Sequence, residues 1–191
     1  MSEHELLSVE ELFHLALDAA RNGEAKSSIE LLKKAISMDK DNARVHYMLG
    51  AMHAEIGMYE QAVEDMEKAV NLDPDMEPAH FQLGLLYMTS GDLIRAEQTW
   101  SALDKYGESN YFFLFKRGIL HLSRNEFTEC ITDLQNGIAL NKVNEPLNND
   151  MKMLIEQAEK AIAGNTQSED VDGKNSENNH VFLTAYNTDE N

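Results

Sequence analysis

Apolar side chains return at helical spacing twice within every 34 residues of this chain. Over 43–76, Val45, Leu49, Met52, His53 and Ile56 form one stripe. Val63, Met66, Ala69 and Val70 form the next, with Gly57 and Met58 between them. Two such stripes around a short interruption predict two amphipathic helices joined by a tight turn. The pattern repeats without a gap over 9–42, 43–76, 77–110 and 111–144. A fixed period of this size predicts stacked helix pairs, an all-α architecture.

Three columns give the period its physical content. Gly23, Gly57, Gly91 and Asn125 stand at the turns, where a left-handed residue closes one helix and admits the next. Ala16, Gly50, Gly84 and Gly118 face Ser28, Ala62, Ala96 and Cys130; small residues on both sides let paired helices approach closely. Leu32, Met66, Trp100 and Leu134 form a bulky column. Between repeats, Pro74 and Pro78 punctuate helix ends.

The ends of the repeat array carry their own signals. In the N-terminal segment 1–8, Ser8 with Glu11 reads as a capping box, and Leu7 with Leu12 as its hydrophobic staple. After Pro146, the residues Leu147, Met151, Leu154, Ile155, Ala158 and Ile162 recur at helical spacing. They predict a final helix over 145–163 that covers the fourth repeat, with Lys152, Glu156, Glu159 and Lys160 on its solvated side. Nine helices are expected, and Gly164 is expected to stop the last. The segment 164–191 is polar, acidic and predicted to be disordered, apart from an apolar motif at 180–186.

Charge narrows the partners. The chain carries 34 acidic and 16 basic side chains, a net of −18. Nucleic acid and anionic membrane surfaces both require clustered Lys and Arg, so neither is an expected partner. No apolar run is long enough to span a bilayer, and the acidic first residues do not read as a signal peptide. A single cysteine, Cys130, fits a reducing, cytoplasmic setting.

The columns resemble the tetratricopeptide repeat (TPR). Leu49-Gly50, His53, Gly57, Tyr59, Ala62, Met66, Ala69 and Asp73-Pro74 match its pattern in the second repeat. Leu83-Gly84, Tyr87, Gly91, Ala96 and Trp100 match in the third. The first and fourth repeats are looser; Arg117 replaces a Leu and Gly137 an Ala. The resemblance implies a right-handed TPR solenoid of four helix-turn-helix repeats with a C-terminal capping helix. It also implies that first helices line a concave groove. The groove positions carried over are Phe13, Tyr47, Met48, Phe81, Leu85, Phe112, Phe115, Lys116 and Ile119, with Glu10, His14, Leu17, Arg21, Arg44, Ala51, Glu55, Gln82, Met88 and Leu122 beside them. Relatives that grip a chaperone's C-terminal carboxylate use Lys and Asn there; this chain has Phe13, Leu17, Met48, Pro78 and Gln82 instead.

That composition implies a non-enzymatic adaptor, scaffold or chaperone-like protein holding an apolar peptide or helix. Lys116 and Arg117 would orient an acidic flank of the ligand. An alternative is self-recognition, the tail residues Val181, Phe182, Leu183 and Tyr186 entering the chain's own groove or a neighbour's, which would give a homo-oligomer. No catalytic residue, metal ligand or cofactor is expected. His46, His53, His80 and His121 read as packing residues, Cys130 as a buried thiol, and Glu64-Asp65 as acids on a solvated face.

Overall fold

The structure, a computed structural model, describes residues 7–167. Among them are nine α-helices and no strand: α1 (Val9–Arg21), α2 (Ala25–Met38), α3 (Ala43–Glu55), α4 (Tyr59–Leu72), α5 (Glu77–Thr89), α6 (Leu93–Trp100), α7 (Tyr111–Ser123), α8 (Phe127–Leu140) and α9 (Glu145–Gln167). A 3-10 segment, Ser101–Ser109, joins α6 to α7. The helices fall into two compact units, divided between Ala102 and Leu103.

The four turns within repeats are built alike. Gly23, Gly57, Gly91 and Asn125 have φ of 74°, 76°, 82° and 60°. The residue after each donates its N–H back across the turn: Glu24 to Ala19 O, Met58 to His53 O, Asp92 to Tyr87 O, Glu126 to His121 O. This is the Schellman closure, and only Gly or Asn enters its left-handed position cheaply. The capping box is present too: Ser8 Oγ accepts from Glu11 N, and Ser8 N donates to Glu11 Oε2 at 2.8 Å.

In the first unit, α1 pairs with α2, α3 with α4 and α5 with α6, while α2 packs on α3 and α4 on α5. One core cluster joins Leu12, Phe13 and Ala16 of α1, Ile29, Leu32 and Ala35 of α2, and Val45, Leu49 and Met52 of α3. The small-residue column behaves as its composition requires. A Cβ on Gly50 would lie 3.0 Å from Met66 Cγ, and one on Gly84 only 2.1 Å from Trp100 Nε1. Trp100 is fully buried, stacks on Phe81 and donates Nε1–H to Phe81 O at 3.0 Å.

The third repeat departs from its siblings. Helix α6 has 8 residues where α2 and α4 have 14. Elsewhere an Asx turn closes the repeat: Asp39 Oδ1 accepts from Asp41 N, Asp73 Oδ1 from Asp75 N, and Asn141 Oδ1 from Val143 N. The third repeat has Gly107 in that column, at φ 60°, and reaches it through 3-10 turns.

In the second unit, α8 packs on α7, and α9 packs on α8 and touches α7. Met151, Leu154, Ile155 and Ala158 of α9 are buried, while Lys152, Glu156, Glu159 and Lys160 are exposed. The expected stop at Gly164 is not observed. Helix α9 continues to Gln167, because a solvated Gly costs only about 1 kcal/mol in a helix. The tail reading of Val181, Phe182, Leu183 and Tyr186 lies outside the described residues.

Candidate interaction face

In the first unit the first helices α1, α3 and α5 present a strip of half-buried apolar side chains. Leu17, Ala51 and Leu85 are one column of it; Tyr47, Met48 and Met88 flank them, with Gln82 beside. Leu17 and Met48 rest against the core cluster beneath, so their inner atoms are fixed and their outer atoms remain accessible. At the α1 end, Arg44 lies over the Phe13 ring, 4.6 Å from its centroid, and reaches Glu10 at 3.6 Å.

Not every residue expected in the groove is on that strip. Phe13 is 7% exposed and belongs to the core cluster; Phe81 is 1% exposed beneath Trp100. Both are packing residues supporting the strip. Tyr47, Met48 and Leu85 supply its accessible surface.

The second unit differs at the same columns. Phe112, Phe115, Lys116 and Ile119 are all buried. Phe115 is fully so because Gly137 of α8 makes room: a Cβ there would fall 2.4 Å from Phe115 Cε1. The corresponding columns of the first two repeats hold Ala35 and Ala69. Gly137, visible in the sequence as a departure from the repeat, was the signal for an inserted ring.

The two cations expected to meet a ligand already have partners within the chain. Lys116 Nζ is ion-paired with Asp104 of the 3-10 segment. Arg117 makes a two-point contact with Asp133, Nε to Oδ2 at 2.6 Å and Nη2 to Oδ1 at 2.7 Å, and also reaches Glu108 at 2.9 Å. The Asp133 carboxylate raises the Arg117 pKa further above its ordinary value. Both side chains hold α7 to its neighbours.

Asp65 corrects the solvated-acid expectation. It is 6% exposed and accepts from His53 Nδ1 at 2.9 Å, with His46 Nδ1 at 3.6 Å and Lys68 Nζ at 3.8 Å. A carboxylate only accepts, so His53 carries its hydrogen on Nδ1. His46 Nε2 donates to Lys40 O, and His80 Nε2 to Pro74 O, each six residues back. The histidines thus pack and tie, as their columns predict. Asp133 repeats the Asp65 position two repeats on, with Arg117 and His121 as its partners.

Two further groups are tuned by burial. Tyr87 donates to Glu67, and burial together with that carboxylate pushes its phenol up to about 12. Burial, with Asp133 nearby, pushes the Cys130 thiol up to about 11, so little thiolate forms near neutral pH. Among the described residues no three His, Cys, Asp or Glu side chains converge as a metal site, and no helix is long and apolar enough to cross a membrane.

Residues 43–76 match the family described as Tetratricopeptide repeat. No curated protein matches the chain. Among solved structures the chain is similar to MamA, at 21% identity over 69% of this chain and 77% of that one, with a TM-score of 0.59. It is similar to a thermophilic tetratricopeptide repeat protein of Thermus thermophilus, at 13% identity over 81% and 83% of the two chains and a TM-score of 0.67. It is also similar to a chain of the APC/C hetero-tetramer Cut9-Hcn1, at 14% identity over 82% of this chain and 30% of that one, with a TM-score of 0.73. At these identities the likeness is one of fold.

Proposed function

We propose, from the premise that the chain is a tetratricopeptide repeat protein, that it is a non-enzymatic interaction module binding an apolar peptide or helix. The carrying observation is the strip Leu17, Tyr47, Met48, Ala51, Leu85 and Met88 on α1, α3 and α5. All six side chains are half-buried, and Leu17 and Met48 pack on the core cluster beneath. A contiguous surface of this kind is a common mark of a binding site. Methionine adapts to the shape of what it meets, and tyrosine supplies anchoring area.

The chemistry of the strip favours an apolar ligand over a charged one. Its cationic neighbour Arg44 is engaged by Glu10 and the Phe13 ring. The role of Lys116 and Arg117 as ligand contacts gives way to a structural one. An adaptor, a scaffold and a chaperone-like holder would all use such a strip; the ligand's identity distinguishes them.

The test is to pan a random peptide display library against the full chain and against Met48→Lys and Leu85→Lys. Selected peptides should be rich in apolar residues and should lose about tenfold or more in affinity for either variant, about 1.4 kcal/mol. Peptides that are polar, or that bind all three proteins equally, would contradict the assignment.

A further inference from the structure

One sequence column has different surroundings in successive repeats. Leu49 of α3 is 4% exposed and Leu83 of α5 is 3% exposed, yet Leu15 of α1, in the same column, is 40% exposed. The cause is the stacking order. Helix α2 packs on α3 and α4 on α5, so the second helix of one repeat covers this column in the next. Among the described residues no helix precedes α1. An open depression results on α1 and α2, lined by the apolar Leu15, Ala19 and Leu31 and by polar residues that include Glu24, Glu30 and Lys34. Ala19 and Leu31 occupy the columns of His53 and Asp65, which are buried and hydrogen-bonded to each other one repeat on.

We propose that this depression docks a basic amphipathic helix of a partner protein, seated as α2 is seated on α3. The apolar half of that description follows from continuity with the stacking interface. There α2 packs on α3, and Leu49 of α3 is buried in a core cluster that also includes residues of α2; Leu15 repeats the position of Leu49. The basic half follows from the flanking columns. Where α3 has Val45 and Met52, α1 has Glu11 and Asp18, and the lining acids Glu24 and Glu30 outnumber the lining Lys34. Asp18 is held by Arg21 in an exposed pair, worth little against a better partner, while Glu11 keeps Oε2 in the capping box with Ser8 and adds its negative charge to the margin. A helix with an apolar stripe and Lys or Arg at its margins meets both halves of the surface; an acidic or wholly apolar helix meets one.

The chain already contains a helix of this chemistry. Helix α2 carries Lys26, Lys33 and Lys34 around its stripe, with Glu30 as its one acid. The probe is a fluorescent peptide of sequence 25–38, stapled to hold it helical and titrated into the full-length protein. Saturable binding is expected in the micromolar range, weakened about tenfold or more by Leu15→Lys and unchanged by Met48→Lys. Leu15 is exposed enough for its replacement to leave the fold intact, which circular dichroism verifies. Raising salt should weaken binding further, since the flanking charges are solvated. Absence of saturation, or equal binding of a scrambled peptide, would overturn the proposal. So would indifference to Leu15→Lys, the outcome expected if the peptide replaced the chain's own α2. Loss on Met48→Lys alone would move the peptide to the apolar strip and equally overturn it.

Discussion

Gly84 has no room for a methyl group, since a Cβ there would fall among the indole atoms of Trp100, a ring that is itself fully buried. Gly84→Ala is expected to cost about 1–3 kcal/mol by overpacking, read as a lower urea midpoint with an unchanged slope. Gly57 has nothing within 4 Å of its missing Cβ. Its φ of 76° means that Gly57→Ala instead costs about 1–2 kcal/mol through the backbone. Tyr87 gives a pH dependence. The folded protein holds this phenolic proton to about 12, whereas unfolded tyrosine titrates near 10. Its contribution to stability is therefore complete below about pH 10 and declines as pH rises towards about 12. The stability gap between wild type and Tyr87→Phe should narrow over that interval; a constant gap would refute the assignment. The glycine columns were legible in sequence because steric need at a tight turn or close crossing has few solutions. Asp65 was not legible, because a charge beside Glu64 reads as solvent-facing until the opposite helix places His53 against it.

Helix boundaries followed the 34-residue register wherever the closing chemistry was regular. The four Schellman turns and the Asx turns after α2, α4 and α8 are determined by single residues that the sequence displays. The third repeat keeps the count but changes the path. Its second helix ends at Trp100 and continues in 3-10 turns that are broken by a kink at Gly107, a change that residue spacing cannot reveal. Helix α9 is anchored by a reciprocal amide pair. Asn141 Nδ2 donates to Asn148 Oδ1 at 2.9 Å, and Asn148 Nδ2 donates to Asn141 O at 3.0 Å, with both residues buried. Asn148→Ala removes both bonds, leaving Asn141 Nδ2 only Asn144 O and depriving Asn141 O of its amide donor, and is expected to cost about 1–3 kcal/mol. Hydrogen exchange should accelerate in α9 before α7; uniform acceleration would show that α9 is not a separately tethered element.

On the scale of the molecule, the two units carry different surfaces on their first helices. In the first unit the first helices keep a half-buried apolar strip, whereas in the second unit the same columns are sealed. Phe115 fills the space left by Gly137, and Lys116 and Arg117 are neutralised by Asp104, Asp133 and Glu108. The columns expected to form the groove were therefore identifiable from sequence, but not which side chains would reach solvent. Exposure depends on the residue across the helix pair, and that partner lies far away in sequence.

The central claim is that the strip on α1, α3 and α5 is the working surface. The most direct measurement is a two-dimensional NMR titration of the isotope-labelled full chain with an apolar peptide selected by the display experiment. The account predicts saturable shifts at Leu17, Met48, Ala51, Leu85 and Met88, with the α7 positions Phe115 and Ile119 little changed. Shifts concentrated on other faces, with those five resonances still, would contradict it.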